Sequence, residues 1–152
     1  MKRITDLRKR VADFNEALTS GLIIQNIIWD NESYIVDLNA EEQLFEQGIN
    51  RLGVEISDYA PYSPVTIAFK EAKGQPTNRV TLRDEGDFES SFYLEVGDKQ
   101  FEIKASDFKT EDLIKKYGCQ ILGLTDENIS ILIWKYICLL YTSPSPRDTE
   151  RS

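Results

Sequence analysis

The stretch Phe88–Ala105, FESSFYLEVGDKQFEIKA, decides the fold of this 152-residue chain. Apolar residues alternate with polar ones on both sides of Gly97-Asp98, which is the pattern of two half-buried strands joined by a turn. A two-residue Gly-Asp loop would pair Val96 with Lys99, so that Leu94 faces Phe101 and Phe92 faces Ile103. Both apolar sets then lie on one face of the sheet. The sequence therefore predicts an antiparallel hairpin over residues 88–105.

The sequence before the hairpin predicts helices and one more strand. Steps of three and four residues predict an amphipathic helix at the N-terminus, with an apolar stripe of Ile4, Leu7, Val11, Phe14 and Leu18. A second helical stretch follows after Thr19-Ser20-Gly21, giving two helices or one long bent helix over residues 3–50. Val80 and Leu82 predict a third strand, which would extend the hairpin into a small β-meander.

The sequence after the hairpin predicts two helices. Thr110 is the expected N-cap of the first and Gly118 the residue that follows it; Thr125 is the expected N-cap of the second. The predicted core stripe of the last helix consists of Ile129, Leu132, Ile133 and Tyr136. We expect an α+β fold with residues 1–137 as a single domain that is cut at its C-terminus.

The last fifteen residues have a different origin. Cys138–Asp148, CLLYTSPSPRD, matches without a mismatch the translation of part of a transposase-based sequencing adapter. We therefore expect residues 138–152 to be an adapter-derived, disordered tail and exclude them from fold reasoning, as any added segment would be. The four charges of the tail cancel, so the net charge of −8 belongs to residues 1–137.

Composition excludes several functions. The acidic excess argues against a protein that mainly grips nucleic-acid phosphates. The absence of histidine excludes Ser–His and Cys–His catalysis and His-ligated metals, and Cys119 and Cys138 form no disulfide framework. The apolar run at residues 129–141 contains Lys135 and is shorter than the ~20 residues of a membrane span. The basic residues among the first ten are interpreted as a solvated helix face, although a nucleic-acid or membrane role was the alternative.

A loop rich in turns, residues 51–79, carries interleaved aromatic and basic side chains. Pro64–Lys73 is expected to form a short helix with proline in its first turn. Interleaved aromatic and basic side chains can bind single-stranded nucleic acid by stacking on its bases and pairing with its phosphates. More often they anchor a loop to the core or enter a partner's pocket. We predict a partner-contact loop that consists of Tyr59, Tyr62, Phe69, Lys70, Lys73 and Arg79.

No group of residues forms a convincing catalytic or metal site. The carboxylates of Asp84, Glu85, Asp87 and Glu89 surround Gly86, but their order is not that of a calcium loop, and we interpret them as a solvated turn. Cys119 follows a helix end rather than a helix start and is expected to be a small buried residue. We therefore predict no catalytic residue, no cofactor and no metal.

Two segments carry a resemblance to a known group of proteins. They are YAPYSPVTIAFKEAKGQPTNRVTLRDEGDFESSF, residues 59–92, and KYGCQILGLT, residues 116–125. These segments resemble small proteins of phages and prophages of Bacteroidetes-type gut bacteria. More distantly, the layout is similar to tail-completion, or head–tail connector, proteins, in which a long helix precedes an element that opens a β-meander. Leu82, Gly86, Phe88 and Ser91 follow that pattern, whereas Glu85 stands where threonine is common.

The resemblance implies a non-enzymatic virion assembly protein, assembled in the host cytoplasm. Its expected partners are further copies of itself in a ring and other virion proteins such as portal or tail components. We expect no nucleic-acid or membrane partner. One alternative is a small phage- or prophage-encoded binding or regulatory module that meets a host protein through the 59–79 loop. A metal-dependent enzyme that uses the carboxylates of residues 84–89 is the other.

Overall fold

The structure, a computed structural model, describes residues 2–138. Except for Cys138, the adapter-like tail lies outside the described residues. The N-terminal third is helical: α1 spans Lys2–Ser20, α2 Leu22–Asp30 and α3 Glu32–Asp37, and a π-helical segment continues over Leu38–Gln47. Two helices lie in the region that was expected to be rich in turns, α4 over Ile56–Tyr59 and α5 over Pro64–Ala72.

The remaining elements surround the hairpin. The short helix α6, Asp87–Ser90, leads into β1, Phe92–Val96, and β2, Phe101–Ala105. Helix α7 follows over Thr110–Tyr117, then a 3₁₀ turn over Cys119–Ile121, α8 over Asp126–Leu132 and a second π-helical segment over Ile133–Cys138. The predicted α+β fold is confirmed.

The hairpin has the predicted buried face but a different register. Leu94 pairs with Ile103 and Val96 with Phe101, two residues away from the predicted pairing. The loop has four residues, Gly97–Gln100, because neither Gly97 nor Asp98 adopts the positive φ that a two-residue turn requires. Side chains alternate with a period of two, so a shift of two residues leaves Phe92, Leu94 and Ile103 buried on one face.

The predicted third strand does not form, so the sheet within residues 2–138 is the hairpin alone rather than a meander. Val80 and Thr81 are buried, but Leu82 has a φ of 60°, a left-handed conformation that ends any extended run. The amide of Thr81 donates to the Tyr62 hydroxyl, 2.9 Å away, instead of to a neighbouring strand. Phe88 also lies in α6, before the hairpin begins.

The N-terminal prediction of consecutive helices is confirmed, with breaks at single residues. Gly21 separates α1 from α2 in a left-handed conformation, φ 75°. Gly48 ends the π-helical segment with φ 67°, and a Cβ there would meet the Arg79 Cβ at 2.8 Å. The chain therefore passes close to residues 79–80 at a position that only glycine fits.

The helix caps agree with the sequence at α5 and α8. Ser63 Oγ accepts from the amide of Thr66 with Pro64 next in the chain, and Thr125 Oγ1 accepts from the amide of Asn128. Thr110 instead lies inside α7, and its hydroxyl donates to the carbonyl of Asp107, so the predicted cap was wrong. Gly118 does follow the last residue of α7.

The core lies between the hairpin and the helices on either side of it in sequence. Ile35, Leu44, Ile56 and Ile121 are fully buried and join the hairpin residues in one apolar cluster. The amide of Leu94 donates to the Glu32 carboxylate, 3.0 Å away, which fastens β1 to α3.

Candidate interaction surfaces

The polar groups of the six predicted partner-contact residues are mostly engaged by the chain itself. Tyr59 is 45% exposed, yet its hydroxyl donates to the carbonyl of Tyr117 at 2.8 Å. Tyr62 is half-buried, and its hydroxyl accepts from the amide of Thr81. Arg79 Nε donates to the carbonyl of Phe45 at 2.6 Å. These side chains tie the 59–79 segment to the rest of the fold.

The two lysines of the predicted loop fasten α5 to the segment that precedes α6. Lys70 is buried, and its ammonium donates to the carbonyl of Arg83 at 2.7 Å and to Gln75 Oε1 at 3.2 Å. Lys73 forms an exposed ion pair with Asp84, whose pKa is lowered by that hydrogen bond. Phe69, by contrast, is 65% exposed, as is Val65 one turn earlier on α5.

The carboxylates of residues 84–89 do not converge on a common point. Asp84 is paired with Lys73, Asp87 begins α6, and the Glu89 side chain is 4% exposed. Within residues 2–138, no three His, Cys, Asp or Glu side chains are placed to hold a metal ion. Cys119 is exposed rather than buried as predicted, because it lies at the start of the 3₁₀ turn on the surface.

Glu89 was predicted to lie in a solvated turn with its neighbouring carboxylates, but its side chain is buried. Its nearest cation is Arg83 Nε, 3.5 Å away, and neither carboxylate oxygen has a hydrogen-bond partner. Arg83 instead makes a bidentate contact with Glu41 and stacks on Phe45, 4.0 Å from the ring centre. Burial raises the pKa of Glu89 above its ordinary value, and the charge of Arg83 offsets this only in part.

A pair of buried amides holds the chain between the 3₁₀ turn and α8. Asn39 donates to the carbonyl of Ile121 and accepts from the amide of Gly123, both at 3.0 Å. Gln43, one turn later, donates to the carbonyl of Gly123 and accepts from the amide of Thr125, both at 2.9 Å. These contacts join residues that are 80 to 84 positions apart. They satisfy backbone groups that no strand partner reaches.

The apolar stripe of α1 lies uncovered from Ile4 to Phe14. Ile4 and Leu7 are each 60% exposed, Val11 is 51% exposed and Phe14 is 48% exposed. A helix of 19 residues is about 28 Å long. An apolar stripe on an amphipathic helix normally faces a core, so its exposure here is unusual.

A second uncovered apolar surface lies beside the end of α1. It is a cleft of about 1190 Å³ between α2, the hairpin and α8, with Thr19 and Ser20 of α1 on its border. Its apolar lining includes Ile24, Val96, Phe101, Leu122, Ile129 and Ile133. Ile129 and Ile133 belong to the predicted core stripe of the last helix, yet they are 37% and 42% exposed.

Comparison with family models, with curated proteins and with solved structures finds no match for this chain. Within residues 2–138, no helix has the length and apolar character that crossing a membrane requires.

Proposed function

We propose that this chain is a non-enzymatic phage virion assembly protein, a head–tail connector or tail-completion component that acts by oligomerisation. The observation that carries the proposal is the pair of uncovered apolar surfaces, the α1 stripe and the cleft. Exposed apolar area of this kind is typical of subunits that are completed by their neighbours. The resemblance of residues 59–92 and 116–125 to small phage proteins supports the same role.

The charge of the chain suits a ring at the neck of a virion. Eight more acidic than basic side chains give a surface that repels DNA phosphates, so DNA can pass such a ring without being held. In this proposal the protein is assembled in the host cytoplasm and resides in the virion. Its partners are further copies of itself and other virion proteins such as the portal.

Deletion of the gene from an inducible prophage tests this function. A connector or tail-completion role predicts DNA-filled heads and separate tails after induction, with joined particles restored by the gene supplied on a plasmid. Portal, capsid or tail genes should lie beside it. Normal infectious particles from the deletion strain, or an early-gene neighbourhood, would contradict the proposal.

A second candidate is a small phage- or prophage-encoded module that binds a host protein. The observation that favours it is the outer face of α5, where Val65 and Phe69 are each 65% exposed. Phe69→Ser should then abolish capture of the host protein, and Phe108→Ser should not, because Phe108 is also exposed but lies outside the 59–79 segment. The assembly function instead predicts particle formation that is unaffected by Phe69→Ser.

A further inference from the structure

The α1 stripe and the cleft are both predicted core faces, and neither is covered by any part of residues 2–138. Val11 and Ile133, near the middle of each surface, are 51% and 42% exposed. Each surface is apolar, and the two lie next to each other because Ser20, at the end of α1, borders the cleft. A helix is a common occupant of an apolar groove. We propose that α1 of one copy docks into the cleft of the next copy, which makes a head-to-tail interface.

The connection between α1 and α2 favours a second copy over the chain's own helix. Gly21 is the only residue between the two helices. Two antiparallel helices joined in sequence need a loop of about two to five residues. Gln25 Nε2 also donates to the carbonyl of Gly97, 3.0 Å away, so the beginning of α2 is fastened to the hairpin loop. A reversal of α1 onto its own cleft would require this contact and the first turn of α2 to open.

Charge complementarity supports the same arrangement. Residues 2–10 carry five basic side chains and one acidic side chain, whereas residues 21–137 carry 11 basic and 21 acidic ones. The basic beginning of α1 is therefore attracted over long range to the acidic body of another copy. The cleft lining itself adds no net attraction, because it carries Arg51, Lys99 and Lys104 against Asp98 and Glu102. Side-by-side pairing of two α1 helices lacks this attraction, because parallel pairing places Arg8 and Arg10 of both copies next to the seam. The stripe also spans only about two heptads, fewer than the three to four of a sustained coiled coil.

The consequence is an assembly that propagates. A helix that docks into the next copy's cleft leaves one free helix and one free cleft at the ends, so copies add until a ring closes or a filament grows. This inference rests on the proposed function, which supplies the biological reason for a ring. The two fail separately, since a normal virion from the deletion strain contradicts the function and leaves the interface intact.

Sedimentation of the full chain with matched variants tests the interface. Wild-type chain should form species larger than the 17.5 kDa monomer as concentration rises. Val11→Asp should weaken assembly at least ~10-fold, because the carboxylate would be desolvated in an apolar cleft. Ala12→Asp, which adds the same charge beside the stripe, should assemble like wild type. In the cleft, Ile133→Glu should weaken assembly, whereas Ile131→Glu should not, although both isoleucines are 42% exposed.

Mixing the two defective variants gives the sharper result. Val11→Asp keeps an intact cleft and Ile133→Glu keeps an intact helix, so the mixture should form a 1:1 dimer that grows no further. Circular dichroism of each variant should match wild type, since both positions are exposed. Normal assembly of Ile133→Glu would show that α1 pairs with α1 and would overturn the proposal. A wild-type chain that stays monomeric would also overturn the proposed docking, and this holds whether the chain's own tail or another virion protein fills the cleft.

Discussion

At the scale of single residues, Glu89 makes the structure sensitive to pH. Burial raises its pKa, so the folded chain retains this proton over a pH range in which the unfolded chain has lost it. Stability is therefore full below the ordinary glutamate pKa of 4.5 and falls as pH rises through the folded value. Arg83 does not depend on Glu89, because it keeps its bidentate contact with Glu41.

Glu89→Gln should accordingly raise the free energy of unfolding by about 1 kcal/mol near neutral pH, because the amide replaces an ionised carboxylate that has no hydrogen-bond partner. Urea denaturation at several pH values measures the effect, which should shrink as the pH falls from about 8 toward about 5. The exposed Glu85→Gln is the control and should change little at any pH. A less stable Glu89→Gln at neutral pH would mean that the ion pair with Arg83 outweighs the burial.

Lys70 lies in α5 and Lys73 directly follows that helix, but the two side chains differ in their surroundings. Lys70→Met preserves most of the buried stem and leaves the carbonyl of Arg83 and Gln75 Oε1 without their donor. We expect a loss of about 1–3 kcal/mol in the free energy of unfolding. Lys73→Met removes an exposed ion pair and should change the free energy of unfolding little. Equal losses by thermal denaturation would contradict the assigned role of Lys70.

At the scale of elements, the buried amides of the first π-helical segment hold the chain before α8. Gln43→Leu would remove the partners of the Gly123 carbonyl, the Thr125 amide and the Asn128 side chain. We expect a loss of about 3 kcal/mol and faster hydrogen exchange at the Thr125 amide. Gln47→Leu makes the same chemical change at an exposed position of the same segment and should have little effect. Similar losses in the free energy of unfolding for the two variants would contradict the assigned role of the Gln43 hydrogen bonds.

The elements that follow from local patterns were predictable, and those that depend on distant contacts were not. The alternation of apolar and polar residues identified the buried face of the hairpin. Because a shift of two residues leaves this alternation unchanged, the pairing register depends on the turn. The strand expected at Val80 and Leu82 does not form; the Thr81 amide donates to the Tyr62 hydroxyl and the Lys70 ammonium donates to the carbonyl of Arg83, and no local pattern reveals these contacts. The link between Gln43 and Gly123 spans 80 residues and was equally hidden.

The residues of the candidate surfaces divide in the same way, into features that local patterns predict and features that depend on distant contacts. Composition identified Tyr59, Tyr62 and Arg79 as notable side chains, but it could not indicate that the chain itself occupies their polar groups. Periodicity located the apolar faces of α1 and of the last helix. It reports which face avoids water and is silent on whether the same chain or another one covers that face.

At the scale of the whole molecule, one exposed thiol offers a direct probe of assembly. Cys119 lies on the border of the cleft and is exposed. If α1 of a neighbour occupies the cleft, positions of the stripe should come within reach of this thiol. Cysteines at Leu7, Val11 and Phe14, each introduced singly together with Cys138→Ser, place a second thiol along the docked helix.

Thiol cross-linking of these variants with a short bismaleimide tests directly whether α1 of one copy occupies the cleft of the next. Docking of α1 into the cleft predicts a ladder of covalent dimers and higher species, with peptides that join at least one stripe position to Cys119 of another chain. Lys9→Cys, on the opposite face of α1, should give no such peptide. Cross-links that join stripe positions only to each other, or a chain that remains uncross-linked while forming oligomers, would contradict it.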